Sequence, residues 1–210
     1  MECKAPTAGI VLAAGTSTRF GTFKLLQPLG DKFLLEWVLD TCLDSKLERI
    51  FLVLGYKQDE ITRALVHTIK HPRLSIVYNS NYQNGQSTSL RAGLNEIKGF
   101  FPSVMFILGD QPLIDNRTLN AILERYWHSP KSICAPFFNN RRGNPVIFSE
   151  KFYSQIERIG GDKGAREIID HNAKDVLRID LNQPSFFYDV DTRKDMQQVS
   201  AFIDTPSRTM

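Results

Sequence analysis

Short runs of aliphatic and β-branched residues alternate with amphipathic stretches along roughly the first 130 residues of the chain. The apolar runs have the length of buried strands, and they predict strands at Ala8–Ala13, Arg49–Leu54, Leu74–Tyr78, Val104–Leu108 and Ser132–Ala135. The stretches between them carry apolar residues at helical spacing, and they predict helices at Phe33–Leu43, Gln58–Thr68, Ser87–Ile97 and Asp115–Tyr126. This alternation is typical of an α/β fold with a single, doubly wound, mostly parallel sheet and helices on both faces.

The rest of the chain is less regular. Its apolar runs predict strands at Asn144–Phe148, Asp175–Ile179 and Phe186–Val190. Its amphipathic stretches predict helices at Glu150–Arg158, Lys163–His171 and Thr192–Ile203. Because no linker or repeat interrupts the pattern, we expect one domain over residues 1–204 and a disordered tail at 205–210.

The composition is ordinary for a globular protein, with 42% hydrophobic and 23% charged residues. A formal net charge of +3 without a lysine or arginine block argues against a nucleic-acid partner. No segment approaches the roughly 20 apolar residues that cross a bilayer, and the first apolar run is too short for a signal peptide. Three separated cysteines form no C-x-x-C pair, so neither zinc nor a disulfide framework is indicated. We therefore expect a cytoplasmic protein that does not contact a membrane.

The segment 12–24 joins small residues to two cations. It directly follows the first predicted strand and reads L-A-A-G-T-S-T-R-F-G-T-F-K. Small side chains let backbone N–H groups come close to the oxygens of an anion. Arg19 offers a planar fork to a phosphate, and Lys24 offers a compact point charge. The spacing is neither that of a P-loop nor that of the dinucleotide-binding fingerprint, and it predicts a different polyphosphate-binding loop.

Asp110 follows the predicted strand Val104–Leu108 in the sequence Gly-Asp-Gln-Pro. In an open α/β sheet, the carboxyl ends of the strands share the edge where ligands bind, so Asp110 is expected near the loop 12–24. Magnesium typically takes one or two carboxylates together with phosphate oxygens and water. Asp110 is therefore a candidate magnesium ligand.

Two further carboxylates, Asp189 and Asp191, flank Val190 after an aromatic run. On a strand, alternation would place both carboxylates on one face and the valine on the other. Asp191 is also a candidate N-cap of the last helix, where Thr192 and Asp195 have the spacing of a loose capping box. A ligand role and a capping role can coexist here.

Residues 85–94, which read G-Q-S-T-S-L-R-A-G-L, have the pattern of a helix start. Gly85 precedes the helix, and Ser87 and Ser89 fall in its first turn. Free N–H groups and hydroxyls at such a position suit polar recognition of a base or a phosphate. Simple capping of the helix is the alternative.

The four histidines lie outside all of these motifs, and no catalytic serine, cysteine–histidine or metalloprotease pattern occurs. A hydroxyl nucleophile needs a base, whereas a phosphate monoester, with a second pKa of about 6, is mostly ionised at neutral pH. Catalysis on such a nucleophile reduces to alignment and charge neutralisation. The residues present therefore fit transfer to a phosphorylated acceptor.

These motifs resemble the signatures of the nucleotidyltransferases that activate sugars, isoprenoid precursors and the molybdenum cofactor. The loop 12–24 matches their pattern L-A-A-G-x-S-x-R-M/F-G-x-x-K, and residues 108–112 match L-G-D-Q/M-P. The resemblance implies a Rossmann-like nucleotidyltransferase fold whose loop wraps a nucleoside triphosphate, with Arg19 and Lys24 as catalytic residues that hold its phosphates. It places beside the base and ribose the residues Leu12, Ala13, Ala14 and Gly15.

Further matches are to the molybdenum cofactor cytidylyltransferases of the MobA-like group. Residues 85–94 resemble their G-M-S-S-S-L-R-A-G-L, which lies by the nucleotide base, and this implies contacts from Gly85, Ser87 and Ser89. Residues 141–148 resemble R-R-G-H-P-V-L-F, with asparagine in place of histidine, and residues 161–166 resemble G-D-R/K-G-A-R. These two segments place cations and glycines for a phosphorylated acceptor at Arg142, Gly143, Asn144, Pro145, Gly164 and Arg166.

The last match is to the motif D-I-D-T-P-E-D, at residues 189–195. Here Arg193 and Lys194 replace the proline and the glutamate, while both aspartates are kept. The resemblance implies that Asp191 is the second magnesium ligand beside Asp110.

The prediction is thus a magnesium-dependent enzyme that transfers CMP from CTP to the terminal phosphate of the molybdenum-bearing pterin cofactor and releases pyrophosphate. One alternative is a related transferase that uses GTP, or one that activates a sugar or alditol phosphate. Another is an accessory protein that binds the pterin cofactor and hands it to a client molybdenum hydroxylase with little turnover.

Overall fold

The computed structural model of the protein describes residues 5–162, 164–182 and 187–203. The strands in these residues are β1 Thr7–Ala13, β2 Pro28–Leu29, β3 Lys32–Phe33, β4 Arg49–Leu54, β5 Leu74–Tyr78, β6 Ser103–Leu108, β7 Ile133–Phe138, β8 Arg141–Arg142, β9 Val146–Ser149 and β10 Val176–Asp180. The α-helices are α1 Leu34–Leu43, α2 Gln58–Ala64, α3 Gln86–Ile97, α4 Asn116–Trp127, α5 Tyr153–Glu157, α6 Arg166–His171 and α7 Arg193–Ile203.

Eight strands form one sheet in the order β10, β7, β9, β6, β1, β4, β5, with β8 paired to β7. The pairs within β6, β1, β4 and β5 and the pair β10–β7 are parallel. β9 is antiparallel to both of its neighbours, and β8 is antiparallel to β7. The predicted single, mostly parallel sheet is confirmed.

Alternate residues of the central strand β1 pack against opposite faces of the sheet. Val11 and Ala13 join the core formed with α1, α2, α4 and α7. Ala8 and Ile10 join the second core, which contains residues of α3, α5 and α6. Both faces of β1 are therefore buried under helices, as the continuous apolar run at its centre predicts. Every helix in the described residues is too short or too polar to traverse a bilayer.

The second half of the chain departs from several predictions. The predicted strand Phe186–Val190 does not form over its described residues 187–190; the Val190 N–H donates to the Asp110 carbonyl, and its side chain is buried. The helix predicted from Lys163 begins only at Arg166, since Gly164 adopts a left-handed conformation with φ of 58° that no α-helix contains. Lys163 and the predicted tail at 205–210 lie outside the described residues.

Other bounds differ by less. The helix predicted over 58–68 ends at Ala64, and a 3₁₀ turn follows at Thr68–Lys70. The helix predicted over 150–158 begins with a 3₁₀ turn at Glu150–Phe152 and becomes α-helical only at Tyr153.

Candidate active site

Three chain segments meet at the carboxyl edge of the sheet. β1 and β6 are parallel neighbours with Leu12 opposite Leu108, so the loop after β1 and Asp110 after β6 emerge side by side. The Val190 N–H donates to the Asp110 carbonyl at 3.0 Å, which brings the acidic turn 189–191 to the same place. The structure therefore unites the two motifs that lie furthest apart in the sequence.

The loop after β1 is fixed by its own backbone and by two aromatic anchors. Ser17 and Gly21 adopt left-handed conformations, with φ of 58° and 80°, on either side of a 3₁₀ turn. Phe20 and Phe23 are buried in the core below the loop. A Cβ atom on Gly15 would meet no protein atom within 4 Å, so open space adjoins the backbone there.

Lys24 lies between the two carboxylates that the motifs predict. Its Nζ donates to Asp110 Oδ2 at 2.7 Å and to Asp191 Oδ1 at 3.1 Å. Arg19 Nη1 lies 2.7 Å from Asp191 Oδ2, with most of the Arg19 side chain exposed. Burial opposes the charge of Lys24, yet the two carboxylates raise the pKa of its ammonium group above the ordinary value. Lys24 is therefore charged at neutral pH and offsets part of the negative charge of the two carboxylates that it bridges.

The donor set at this point fits a hard divalent cation. Asp110 Oδ1 is a buried oxygen with no hydrogen-bond partner, while Oδ2 is held by Lys24. Within the described residues, no group of three or more acidic, histidine or cysteine side chains is arranged to hold a metal. A cation on Asp110 and Asp191 would therefore complete its shell with oxygens from a ligand or water, as magnesium commonly does.

Asp189 takes a different position from Asp191. Its Oδ1 accepts a hydrogen bond of 2.6 Å from Nε2 of the buried Gln111. Burial and the neighbouring Asp110 raise the pKa of the Asp189 carboxyl, and the bond from Gln111 only partly offsets this. Asp189 and Asp191 both face the cavity described next while Val190 points into the core, as alternation predicts, although no strand forms.

A cavity of about 600 Å³ opens above the loop, and we call it the glycine-loop cavity. Every predicted nucleotide-binding and catalytic residue except Ser87 lines this cavity. These residues are Leu12, Ala13, Ala14, Gly15, Arg19, Lys24, Gly85, Ser89, Asp110 and Asp191.

Ser87 is the exception because α3 turns it into the protein interior. It is fully buried, and its Oγ has no hydrogen-bond partner. The Ser87 N–H donates to the Gly161 carbonyl, and the Gln86 N–H donates to Asp162 Oδ1. The first two N–H groups of α3 are thus already paired, so the prediction that they are free for a ligand is wrong.

A second cavity of about 530 Å³ adjoins the first, and we call it the arginine cavity. Five of the predicted acceptor-binding residues line it: Arg142, Gly143, Asn144, Gly164 and Arg166. The sixth, Pro145, is buried and is not among the residues that line it. The apolar lining of the cavity includes Leu12, Leu90, Phe106, Leu108, Val146 and Phe148, and its remaining polar lining includes Gln86, Asp162, Glu167 and Asp189. The two cavities share Leu12, Gln86, Leu108, Asp162 and Asp189.

Several lining residues were not predicted. Tyr82 and Gln83 enter the glycine-loop cavity, and Gln86 and Asp162 line both cavities. The signal for the first two was available, because they follow β5 and therefore belong to the same edge of the sheet. Asp162 lies in the matched segment 161–166, but only the glycine and the arginine of that segment were assigned to the site.

The helix that follows the acidic turn is capped by Thr192 and not by Asp191. The Thr192 N–H donates to Asp195 Oδ2 at 2.7 Å, and the Asp195 N–H donates to Thr192 Oγ1 at 3.2 Å. This reciprocal pair confirms the predicted capping box. It also leaves the side chain of Asp191 available to Lys24 and Arg19.

Comparison with known proteins agrees with this geometry. The sequence profile of the MobA-like NTP transferase domain matches residues 9–176. The bifunctional protein GlmU of Picosynechococcus sp. is 29% identical over 163 residues, which are 77% of this chain and 34% of GlmU. The chain thus spans about a third of that relative. A probable molybdenum cofactor guanylyltransferase of Thermococcus sibiricus is 27% identical over 71% of this chain and 72% of its own length.

Among solved structures, Rv0371c of Mycobacterium tuberculosis H37Rv, in complex with manganese, superimposes with a TM-score of 0.75 at 26% identity. The match covers 93% of this chain and 98% of that one. The chain belongs to the MobA-like NTP transferase domain family, and it is an enzyme of the nucleotidyltransferase class.

Proposed function

We propose that the protein transfers CMP from CTP to the terminal phosphate of the molybdenum-bearing pterin cofactor. A terminal phosphate oxygen of the acceptor attacks the α-phosphorus of CTP and forms a new P–O bond. The bond between the α-phosphorus and the oxygen bridging to the β-phosphate breaks, and pyrophosphate leaves. The attacking oxygen is already ionised, so the reaction needs no general base.

The observation that carries this proposal is the cation–carboxylate cluster of the glycine-loop cavity, which lies beside Asp189, a residue that lines both cavities. The triphosphate would lie along the glycine-loop cavity, where Arg19 and Lys24 would neutralise the α-phosphate and the departing pyrophosphate. The acceptor would enter from the arginine cavity with its phosphate toward Asp189 and Lys24. The two substrates would then meet in line at the shared boundary, and such alignment supplies much of the rate enhancement.

Asp110 and Asp191 would hold Mg²⁺, and the unpaired Oδ1 of Asp110 supports this assignment. When bound, the ion supplies positive charge that offsets the charge of the reacting phosphates. Lys24 and Arg19 now contact the same two carboxylates, and they would turn from these to the phosphates of the nucleotide. The manganese complex of Rv0371c supports a divalent cation in this family.

The arginine cavity favours the pterin over a sugar phosphate as acceptor. A sugar presents hydroxyl groups in most directions, and each needs a polar partner when it is desolvated. This cavity offers Phe106, Phe148 and aliphatic side chains as an apolar patch, beside polar residues such as Gln86 and Asn144 and the two arginines. A flat heteroaromatic body with a phosphate tail suits such a surface.

For the nucleotide, the resemblance of residues 85–94 to the cytidylyltransferase motif supports CTP, and Gly85 and Ser89 of that segment line the glycine-loop cavity. GTP is the second candidate, because the relative from Thermococcus sibiricus is named as a guanylyltransferase. The carrier alternative gains no support from the cluster, since a carrier needs no lysine between two carboxylates.

Pyrophosphate release and mass spectrometry of the product test these proposals together. The protein is incubated with Mg²⁺, each of the four nucleoside triphosphates, and either the pterin cofactor or a set of sugar and alditol phosphates. We expect pyrophosphate and a cytosine dinucleotide product with CTP and the pterin. Greater turnover with GTP than with CTP would change the proposed nucleotide to GTP. Formation of a nucleotide-sugar would change the proposed acceptor to a sugar phosphate. Pterin binding without pyrophosphate release would establish the carrier.

A further inference from the structure

The start of α3 and the described residues of loop 160–165, which are 160–162, 164 and 165, form one wall between the two cavities. Gln86 is the first residue of α3, Asp162 lies in the loop, and both side chains face both cavities. Gln86 and Asp162 therefore border the proposed nucleotide site and the proposed acceptor site. The wall thus separates the two spaces, and its loop side continues to Arg166 in the arginine cavity.

The wall is held together by backbone N–H groups that the helix itself cannot satisfy. The first turn of an α-helix leaves its N–H groups without intrahelical partners. Here Asp162 Oδ1 accepts from the Gln86 N–H at 3.1 Å, and the Gly161 carbonyl accepts from the Ser87 N–H at 3.1 Å. A carboxylate at a helix N-terminus also interacts favourably with the helix dipole. Asp162 thus caps α3 from a segment 76 residues further along the chain.

Glycines on both sides of the wall permit the close approach. Gly85 has φ of 97°, and a Cβ atom there would lie 2.6 Å from the Gly161 carbonyl carbon and 2.7 Å from Asp162 Oδ1. Gly164 has φ of 58°, and a Cβ atom there would lie 2.9 Å from Gln86 Oε1. The loop therefore fits against the helix start only because neither glycine carries a side chain.

The loop leads directly into α6, which begins with Arg166 at the rim of the arginine cavity. The far side of α6 is held by Asp170, whose Oδ1 accepts from Arg142 Nη1 at 2.5 Å. The short helix is packed in the core through Ile168 and Ile169, and it is also held by the Arg142–Asp170 pair. Its Arg166 end follows the loop that Asp162 and the Gly161 carbonyl tie to α3, so the loss of Asp162 would loosen that end.

We propose that Asp162 is a positioning residue for the transfer reaction. By capping α3 it holds loop 160–165 as the wall between the cavities, and it thereby places Arg166 toward the acceptor. Asp162 need not touch either substrate for this. The inference rests on the proposed assignment of the arginine cavity to the acceptor.

The test compares Asp162→Ala with Asp162→Asn in the full chain, because asparagine keeps an oxygen that can accept from Gln86. For Asp162→Ala, the KM for the acceptor should rise about fivefold to tenfold, as expected for the loss of one capping hydrogen bond, and the KM for CTP should change much less. Asp162→Asn should recover most of this loss. Asp180→Ala is the matched control, since Asp180 is exposed and pairs with Arg178 away from both cavities.

Hydrogen exchange provides a readout that does not depend on turnover. In Asp162→Ala the Gln86 amide should exchange faster, while the amides of β1 and β6 keep their protection. If the wild-type chain transfers nucleotide to no acceptor, the proposed function fails, and the exchange result still decides whether Asp162 fixes the wall.

Three outcomes would overturn the positioning role. The first is unchanged exchange and unchanged KM in Asp162→Ala. The second is equal loss of activity in Asp162→Ala and Asp162→Asn. The third is a loss of activity that affects both substrates equally and is fully accounted for by a lower melting temperature, because this would indicate a general loss of folding.

Discussion

At the scale of single residues, Asp110 has two oxygens in unlike surroundings. One is held by Lys24, and the other is buried without a partner. We expect Asp110→Asn to lower kcat by about 100-fold or more, because an amide binds a divalent cation poorly and several kcal/mol of charge stabilisation would be lost. Steady-state pyrophosphate release measures this, with Asp180→Asn as the control. Near-normal turnover of a folded Asp110→Asn protein would remove Asp110 from the metal site.

Lys24 competes with a metal ion for the carboxylates of Asp110 and Asp191. Without nucleotide, Lys24→Ala should therefore bind Mn²⁺ more tightly than the wild type, by about fivefold if the lost competition is near 1 kcal/mol. The same variant should bind triphosphate more weakly. Lys24→Arg should rescue turnover poorly, since a planar fork does not reproduce a point charge.

Electron paramagnetic resonance of bound Mn²⁺ measures the affinity directly. Lys32→Ala is the control, because Lys32 pairs with Asp40 on the surface. Weaker Mn²⁺ binding by Lys24→Ala would mean that the lysine supports the metal site instead of competing for it.

At the scale of elements, the segment after β8 and the acidic turn are packed together through a glycine. A Cβ atom on Gly143 would lie 2.1 Å from the ring of Phe187, two residues before Asp189. Gly143→Ala should therefore displace the acidic turn and cost about 1–3 kcal/mol of stability, as overpacking usually does. The melting temperature and kcat should fall together. Adding Phe187→Ala to the Gly143→Ala chain should restore much of the stability.

Gly160→Ala is the matched control for this prediction. Gly160 also lacks a positive φ, but a Cβ atom there meets no protein atom within 4 Å. If both alanine variants behave alike, the contact with Phe187 is not what makes a glycine necessary at residue 143.

The elements also show which parts of the fold a sequence can predict. The strands β1, β4, β5 and β6 were predicted closely, because each is a short, mainly apolar run bounded by polar or glycine-containing segments. The antiparallel insertion of β9 between β6 and β7 was not predicted, since local pattern carries no information about which strands pair. The aromatic run before Asp189 resembles a strand, yet Val190 makes a backbone bond to Asp110 instead of joining a ladder.

The same distinction applies to the candidate site. The motifs predicted that Arg19, Lys24, Asp110 and Asp191 share one place, and the first three follow β1 or β6 at the same edge of the sheet. Asp191 reaches that place without a strand, through the backbone bond from Val190 to Asp110. Motif spacing failed for Ser87, whose direction depends on how α3 rotates against the core. It also missed Asp162, whose partner is a backbone group of α3 that no side-chain pattern reveals.

At the scale of the whole molecule, the two adjoining cavities bear on how the reaction ends. In the proposed reaction, the joined product would occupy both cavities through one covalent link. If one half of the product dissociates, the half that is still bound holds it at an effective concentration of about millimolar. Rebinding of the dissociated half therefore competes with release of the whole product. Departure of the product, and not formation of the bond, should therefore limit turnover.

Rapid-quench kinetics should then show a burst of about one pyrophosphate per enzyme molecule before a slower steady rate. The product should inhibit competitively against both substrates. A linear time course from the first turnover would show that the product leaves freely. A slow departure would suit a product that passes directly to another protein, because the enzyme would then keep each finished molecule out of solution until a recipient arrives.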